Sequence, residues 1–288
     1  MRFQVLLVAA ALLAAGCLAD DDPRDSDPAA RFTEPSGAAT LPWGLTDCQA
    51  VIATVAADEA ALAPFLPDGF RSLSMTEVAG LGLPVDPVGG GNLGIEVLTC
   101  ASGVGLDGSI QGLHYGSVFT MVEPPAELAD GNVTFHFVKW DVMIPDQPRR
   151  DVLAGRGVPA VDGAGYMLQF QQVGDATLFD AVLEMDGDVH TLRGAAAAPY
   201  DTEGSFVEFT AVPDGFVTWH TVFTWASVAV GPVVLEPSPG SLVAEILGTG
   251  PAVGAAFAGV IDLHDARIEL PATSPAESDA ADSGEMDQ

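Results

Sequence analysis

Strand-like patterning dominates the chain between residues 41 and 271. "CQAVIATVAA" (48–57), "TFHFVKWDVMI" (134–144) and "GFVTWHTVFTWASVAV" (215–230) combine β-branched and aromatic residues over lengths typical of strands. In "TLFDAVLEMDGDVHTLRGAAA" (177–197) the pair Asp186-Gly187 separates two apolar-rich runs and reads as a hairpin turn. Helical stretches are fewer: "ADEAALAPFL" (57–66), with Asp58 as N-cap, and "SLVAEILG" (241–248), with Ser241 as cap and Gly248 as the stop. Many short strands between Gly and Pro turns, with two short helices, predict a mainly β fold, a β-barrel with a few short helices.

The two ends differ from this domain. Residues 1–16 have Arg2 as a positive start, an apolar run from Val5 to Leu13, and small residues Ala14, Ala15 and Gly16 before Cys17. That run is too short to cross a bilayer, which needs about 20 apolar residues. The small residues directly before a cysteine resemble a prokaryotic lipobox. The resemblance implies cleavage before Cys17, a lipid on its thiol, and a partnership with the membrane through that anchor, at the outer face of the cytoplasmic membrane. An ordinary secretory signal with an incidental cysteine is the alternative, and it too implies export. Residues 17–40 and 272–288 are rich in Asp, Pro, Ser and Ala and poor in large apolar residues, which predicts a disordered acidic tether and tail. The folded domain is expected over 41–271.

Charge narrows the partners. The chain has 40 acidic and 10 basic residues, a net charge of −30, and a single lysine, Lys139. Loss of Arg2 with the signal takes the balance to 9 against 40, or −31. Such a surface repels phosphate backbones and excludes nucleic acid as a partner. Dispersed acids with almost no lysine fit life in high salt, where self-repulsion is screened, and point to a halophilic or marine archaeon or a GC-rich actinobacterium. With Cys17 assigned to lipid, Cys48 and Cys100 remain as a pair in an oxidising compartment, and a disulfide is expected.

Motif chemistry is sparse. Asp186, Asp188 and His190 alternate and can present metal-type donors on one face, yet Asp186 is claimed by the turn and no distal Glu completes a calcium loop. No metal site is therefore assigned. His114, His136, His220 and His264 lack HExxH spacing. No G-x-S-x-G is present, and Ser109, Ser117 and Ser241 read as turn or cap residues. "GGGN" at 89–92 lacks the Lys and Ser/Thr of a phosphate loop, so no cofactor is implied. Asn132-Val133-Thr134 is a glycosylation sequon.

Lys139 stands out. Alternation places it with Phe135, Phe137 and Asp141 on one strand face. A lone lysine among aromatics can be an amine of lowered pKa competent for Schiff-base catalysis. The competing expectation, which the absence of a neighbouring cation favours, is a surface charge paired with Asp141.

Four stretches carry a family resemblance: "LPWGLTDCQAVIATVAADEAALAPFLPDGF" (41–70), "GIEVLTCASGVGLDG" (94–108), "LHYGSVFTMVEP" (113–124) and "RRDVLAGRGVPAVDG" (149–163). In that order they resemble the opening strand, helix and turn, the Glu-containing strand, the segment closing over the cavity, and the Arg-containing stretch of acetoacetate decarboxylase-like proteins. The resemblance implies a conical β-barrel. It places Ala160, after Gly157-Val158-Pro159, where the family carries its Schiff-base lysine, so the family's electron sink is missing. Arg149, Arg150 and Arg156 are then candidates to bind a small anionic ligand, against the alternative of a solvated turn paired with Asp146 and Asp151. Three functions stand: a non-catalytic surface lipoprotein binding a small apolar or carboxylate ligand or serving the envelope, a lyase using Lys139, and a pocketless envelope interaction module.

Overall fold

A computed structural model describes residues 39–271 except 82, 84, 88, 89, 163 and 164. The predicted signal, Cys17, nearly all of the tether and the tail lie outside the described residues. The domain is mostly strand, and its sheet includes β1 (Ala39–Ala57), β3 (Gly91–Gly105), β4 (Gly108–Glu123), β5 (Phe135–Met143), β9 (Asp188–Val212), β10 (Gly215–Glu236) and β11 (Ala252–Leu270). These seven follow the order β5-β4-β3-β1-β11-β10-β9, and parallel pairing of Phe135–Val138 with Phe206–Phe209 joins β5 to β9. The hydrogen bonding therefore closes into a ring. Ala39 and Thr40, assigned to the tether by composition, pair with Leu270 and Glu269 as part of β1.

The remaining strands are additions to the ring. β2 (Arg71–Ser72) pairs with β4 and β6 (Ala160–Val161) with β5, while β8 (Ala176–Met185) pairs with the first half of β9 and β7 (Gly165–Val173) with β8. The hairpin turn is where the sequence placed it: Asp186 and Gly187 both adopt positive φ, 50° and 88°, as a two-residue type I′ turn requires. The described residues also include four short α-helices, α1 (Glu59–Leu62), α2 (Met75–Gly80), α3 (Gln147–Ala154) and α4 (Leu242–Leu247). Asp58 caps α1 through the N–H of Ala60 and Ser241 caps α4 through that of Ala244, as read from sequence.

Period-two alternation sends adjacent residues of one strand to different cores. Val51, Ala53 and Val55 of β1, Ile95 and Val97 of β3 and Val118 of β4 pack outside the ring against Phe179, Ala181 and Leu183 of β8. Cys48, Ala50, Leu98, Cys100, Leu113, Tyr115 and Trp219 fill the ring instead. Gly116 marks how closely β8 approaches, since a Cβ there would lie 2.5 Å from the Leu183 side chain. Cys48 and Cys100 sit opposite one another on β1 and β3 and form the expected disulfide. Closing a loop of 52 residues contributes about 4 kcal/mol in the chain-entropy account.

Candidate functional site in the ring interior

Lys139 is not a surface charge. Its side chain is fully buried, and its Nζ donates to Glu208 Oε2 at 2.7 Å and to the Tyr115 hydroxyl, with Glu96 Oε1 at 3.6 Å. β5 has β4 and β9 as its ring neighbours, so the approaches to Glu96 on β3 and to Trp219 on β10 cross the interior. The ammonium also lies 5.0 Å and 4.9 Å from the ring centroids of Tyr115 and Trp219, within cation–π range. The expected pairing with Asp141 is corrected by this geometry. Asp141 belongs to a different environment, where burial and then the charges of Asp188 and Asp186 push its pKa up.

Register explains the convergence. Glu96 faces Ser117 across β3 and β4, and Glu208 faces Trp219 across β9 and β10. Ser117 is thus no turn residue: it is buried in β4 and donates to Glu96 Oε1 at 2.5 Å. Glu208 is pushed up to about 7, because burial and the nearby Glu96 outweigh the attraction of Lys139. Tyr115 is held well above its ordinary value by burial and by the two carboxylates, so it remains a phenol. The result is one amine, two carboxylates and one phenol in contact, a constellation able to hold and exchange a proton.

Aromatic side chains pack around this cluster in two groups. On one side Trp43 packs 5.3 Å from Tyr115 and 5.4 Å from Trp219, ring centre to ring centre, and the Arg149 guanidinium lies 5.1 Å from the Trp43 ring. On the other, Phe119, Phe135, Phe137, Phe206 and Phe223 form a chain of ring contacts at 5.1–6.5 Å. Gly94 and Gly204 make room for it, since a Cβ would fall 2.3 Å from the Phe119 ring and 2.6 Å from that of Phe223. Met75 and Val78 of α2, with Val85, Met121 and Ala255, form a small core against which Phe137 packs. α2 is fixed by a capping box between Ser74 and Glu77 and by Arg71, which reaches Glu77 at 2.8 Å and Glu123 at 2.6 Å. Those bonds hold Glu77 down at about 2.

The three candidate arginines do not converge. Arg149 donates to the carbonyls of Pro42 and Val104, both at 2.7 Å, Arg150 to that of Ile144 at 2.5 Å, and Arg156 to that of Pro271 at 3.0 Å. Arg150 also meets Asp162 at 3.3 Å. These contacts tie α3 and its following turn to distant segments. Ala160 lies on β6 opposite Val142 of β5. His190 is buried and accepts from the Ser238 N–H, which takes it away from the metal-type role weighed above. A surface cleft of about 510 Å³ is lined by Ala56, Ala57, Asp58, Glu59 and Gly90, none of which touches Lys139. Asn132 of the sequon is exposed.

Glu208, Tyr115 and Trp219 were not singled out by sequence. Their available signal was a lone charged residue in an apolar strand, "FVEFTAV", where Glu208 shares a face with Phe206 and Thr210.

No protein-family model matches the chain, and no curated protein matches it in sequence. Solved structures do match in fold. The enduracididine biosynthesis enzyme MppR, complexed with the condensation product of pyruvate and imidazole 4-carboxaldehyde, aligns with a TM-score of 0.52 at 13% identity over 83% of this chain and 90% of that one. The same enzyme complexed with pyruvate gives 0.51 at 13% identity, over 82% and 91%. These two alignments support the mainly β fold expected from the sequence. Acetoacetate decarboxylase from Legionella pneumophila aligns at 0.45 with 14% identity, over 80% and 85%. Identities this low speak to the fold alone.

Proposed function

We propose that the chain is an exported, lipid-anchored envelope protein whose decarboxylase-like β-barrel is non-catalytic, its interior amine used for structure rather than for chemistry. The observation that carries this reading is the state of Lys139. It is the only lysine, its side chain has no exposed surface, and its N–H groups face Glu208, Tyr115 and Glu96. An amine so placed is engaged by its neighbours, and a nucleophile must first give up those partners. The ring interior also argues against a carboxylate ligand, since Glu96 and Glu208 outnumber the one ammonium; a small neutral or apolar molecule suits the phenylalanine end better. Cys17, in its lipobox-like setting, supplies the anchor and the acidic tether the distance from the membrane.

A second reading rests on one observation. Glu208, at about 7 and 2.7 Å from the amine, has the proton affinity of a general acid or base at neutral pH, and the fold is shared with an enzyme seen with pyruvate. Under this reading Lys139 forms an imine with a carbonyl substrate, as a lyase requires. Borohydride trapping with pyruvate and with acetoacetate in high salt, followed by intact mass, separates the two. The non-catalytic reading expects no adduct on the folded protein beyond one at the N-terminal amine. A reduced imine mapped to Lys139 would overturn it.

A further inference from the structure

Edge strands of natural sheets are normally protected by charges, proline, bulges or brevity, because their free N–H and C=O groups recruit other strands. β2 and β6 are two residues each. β7 is the exception among the described residues. It runs nine residues, Gly165–Val173, "GYMLQFQQV", has β8 as its only strand partner, and carries no charge, no proline and no register shift. This occurs in a chain with 40 acidic residues, two of them, Asp180 and Glu184, on neighbouring β8.

The register determines which groups are free. β7 and β8 meet through the two residues Gly174 and Asp175, with Val173 opposite Ala176 as the closing pair. Hydrogen-bonded pairs then alternate from Val173 back through Gln171, Gln169, Met167 and Gly165, which leaves the backbone of Tyr166, Leu168, Phe170 and Gln172 directed to the open edge. That set is symmetric about Gln169. An antiparallel β7 from another molecule, related by a twofold through Gln169, pairs Tyr166 with Gln172 of the copy and Leu168 with Phe170, and each of these pairs exchanges both backbone bonds. Side chains agree with this register. Leu168 and Phe170, already packed on the aliphatic core, meet apolar partners, Gln169 meets its own amide, and Met167 meets Gln171, with no charge opposite another.

We infer that β7 is the interface through which two copies of this chain join their sheets. A second copy is favoured over another strand because the edge is self-complementary and because, between molecules this acidic, a neutral edge meeting its own neutral copy brings no like charges together. The test is sedimentation of the full chain, carrying Cys17→Ser to prevent lipidation, in high salt. Twice the chain mass is expected. Gln172→Pro removes an N–H that the register directs to the open edge and so blocks that edge, and Gln169→Glu places two like charges on the twofold; each should weaken dimerisation at least tenfold while the melting temperature stays within a few degrees. A wild-type chain that sediments as a monomer at every concentration overturns the inference, as does a dimer that both folded variants leave intact.

Discussion

On β3, Ile95 and Val97 face the aliphatic core beneath β8, while Glu96 and Leu98 beside them face the ring interior. One strand thus serves two interiors built on different physics. The aliphatic core needs only volume and complementary shape, and each of its residues can be exchanged for another of similar size at modest cost. The ring interior spends its central space on an amine, two carboxylates and a phenol, groups that are costly to bury and that hold one another in place. Such a cluster is weak evidence for stability and stronger evidence that a particular arrangement is being specified. It is where this fold keeps its capacity for chemistry, used or unused.

Substitutions can break the contrast, and the largest effect belongs to the amine. Lys139→Met leaves two buried carboxylates unpaired and should cost about 3–5 kcal/mol in urea unfolding, whereas Lys139→Met with Glu208→Leu should recover much of it. Additive losses in that double variant would remove the ion pair from the account. Replacing Cys48 and Cys100 by alanine should cost about 4 kcal/mol, read by the same unfolding curve, because the ladder between β1 and β3 does not shorten the unfolded chain as the disulfide does. Leu183→Ala in the aliphatic core should cost about 3 kcal/mol and show no dependence on pH.

The pH dependence sharpens the comparison further. Glu208 is raised in the folded state, so its contribution to stability is fully present below its ordinary value of 4.5 and is lost as pH rises through about 7. Subtracting the Glu208→Gln melting profile from that of wild type should isolate a fall of about 3 kcal/mol across this window. A flat difference would mean that the carboxyl ionises normally. The smallest effect is expected outside both interiors. Arg71→Ala, which removes an exposed clamp from α2, should change global stability by less than about 1 kcal/mol while speeding amide exchange in α2.

Much of the frame was legible because it is encoded locally. The strand runs, the Asp186-Gly187 turn and the caps Asp58 and Ser241 depend on residues a few positions apart, and the disulfide follows from there being two cysteines left to pair. α2 went unread although Ser74 and Glu77 spell a capping box, because six residues give too little periodicity to stand out. The site was legible only as a single residue. Lys139 attracts notice as the sole lysine, but alternation along its own strand pointed to Asp141, whereas its carboxylate partners Glu96 and Glu208 lie 43 and 69 positions away on strands that meet only when the ring closes. The arginine cluster shows the converse. Closeness in sequence suggested a shared anion, and the folded backbone instead offers each guanidinium its own carbonyl.

The central claim, that the interior amine is sealed and engaged, is tested most directly by acylating the native protein with an amine-reactive ester and following modification by peptide mass mapping, since with a single lysine the one other amine to set apart is the N-terminal one. The account predicts that Lys139 stays unmodified in the folded protein and reacts at the rate of a free lysine once urea unfolds it. Modification of the folded protein at that same rate would show an open, free amine and would contradict it.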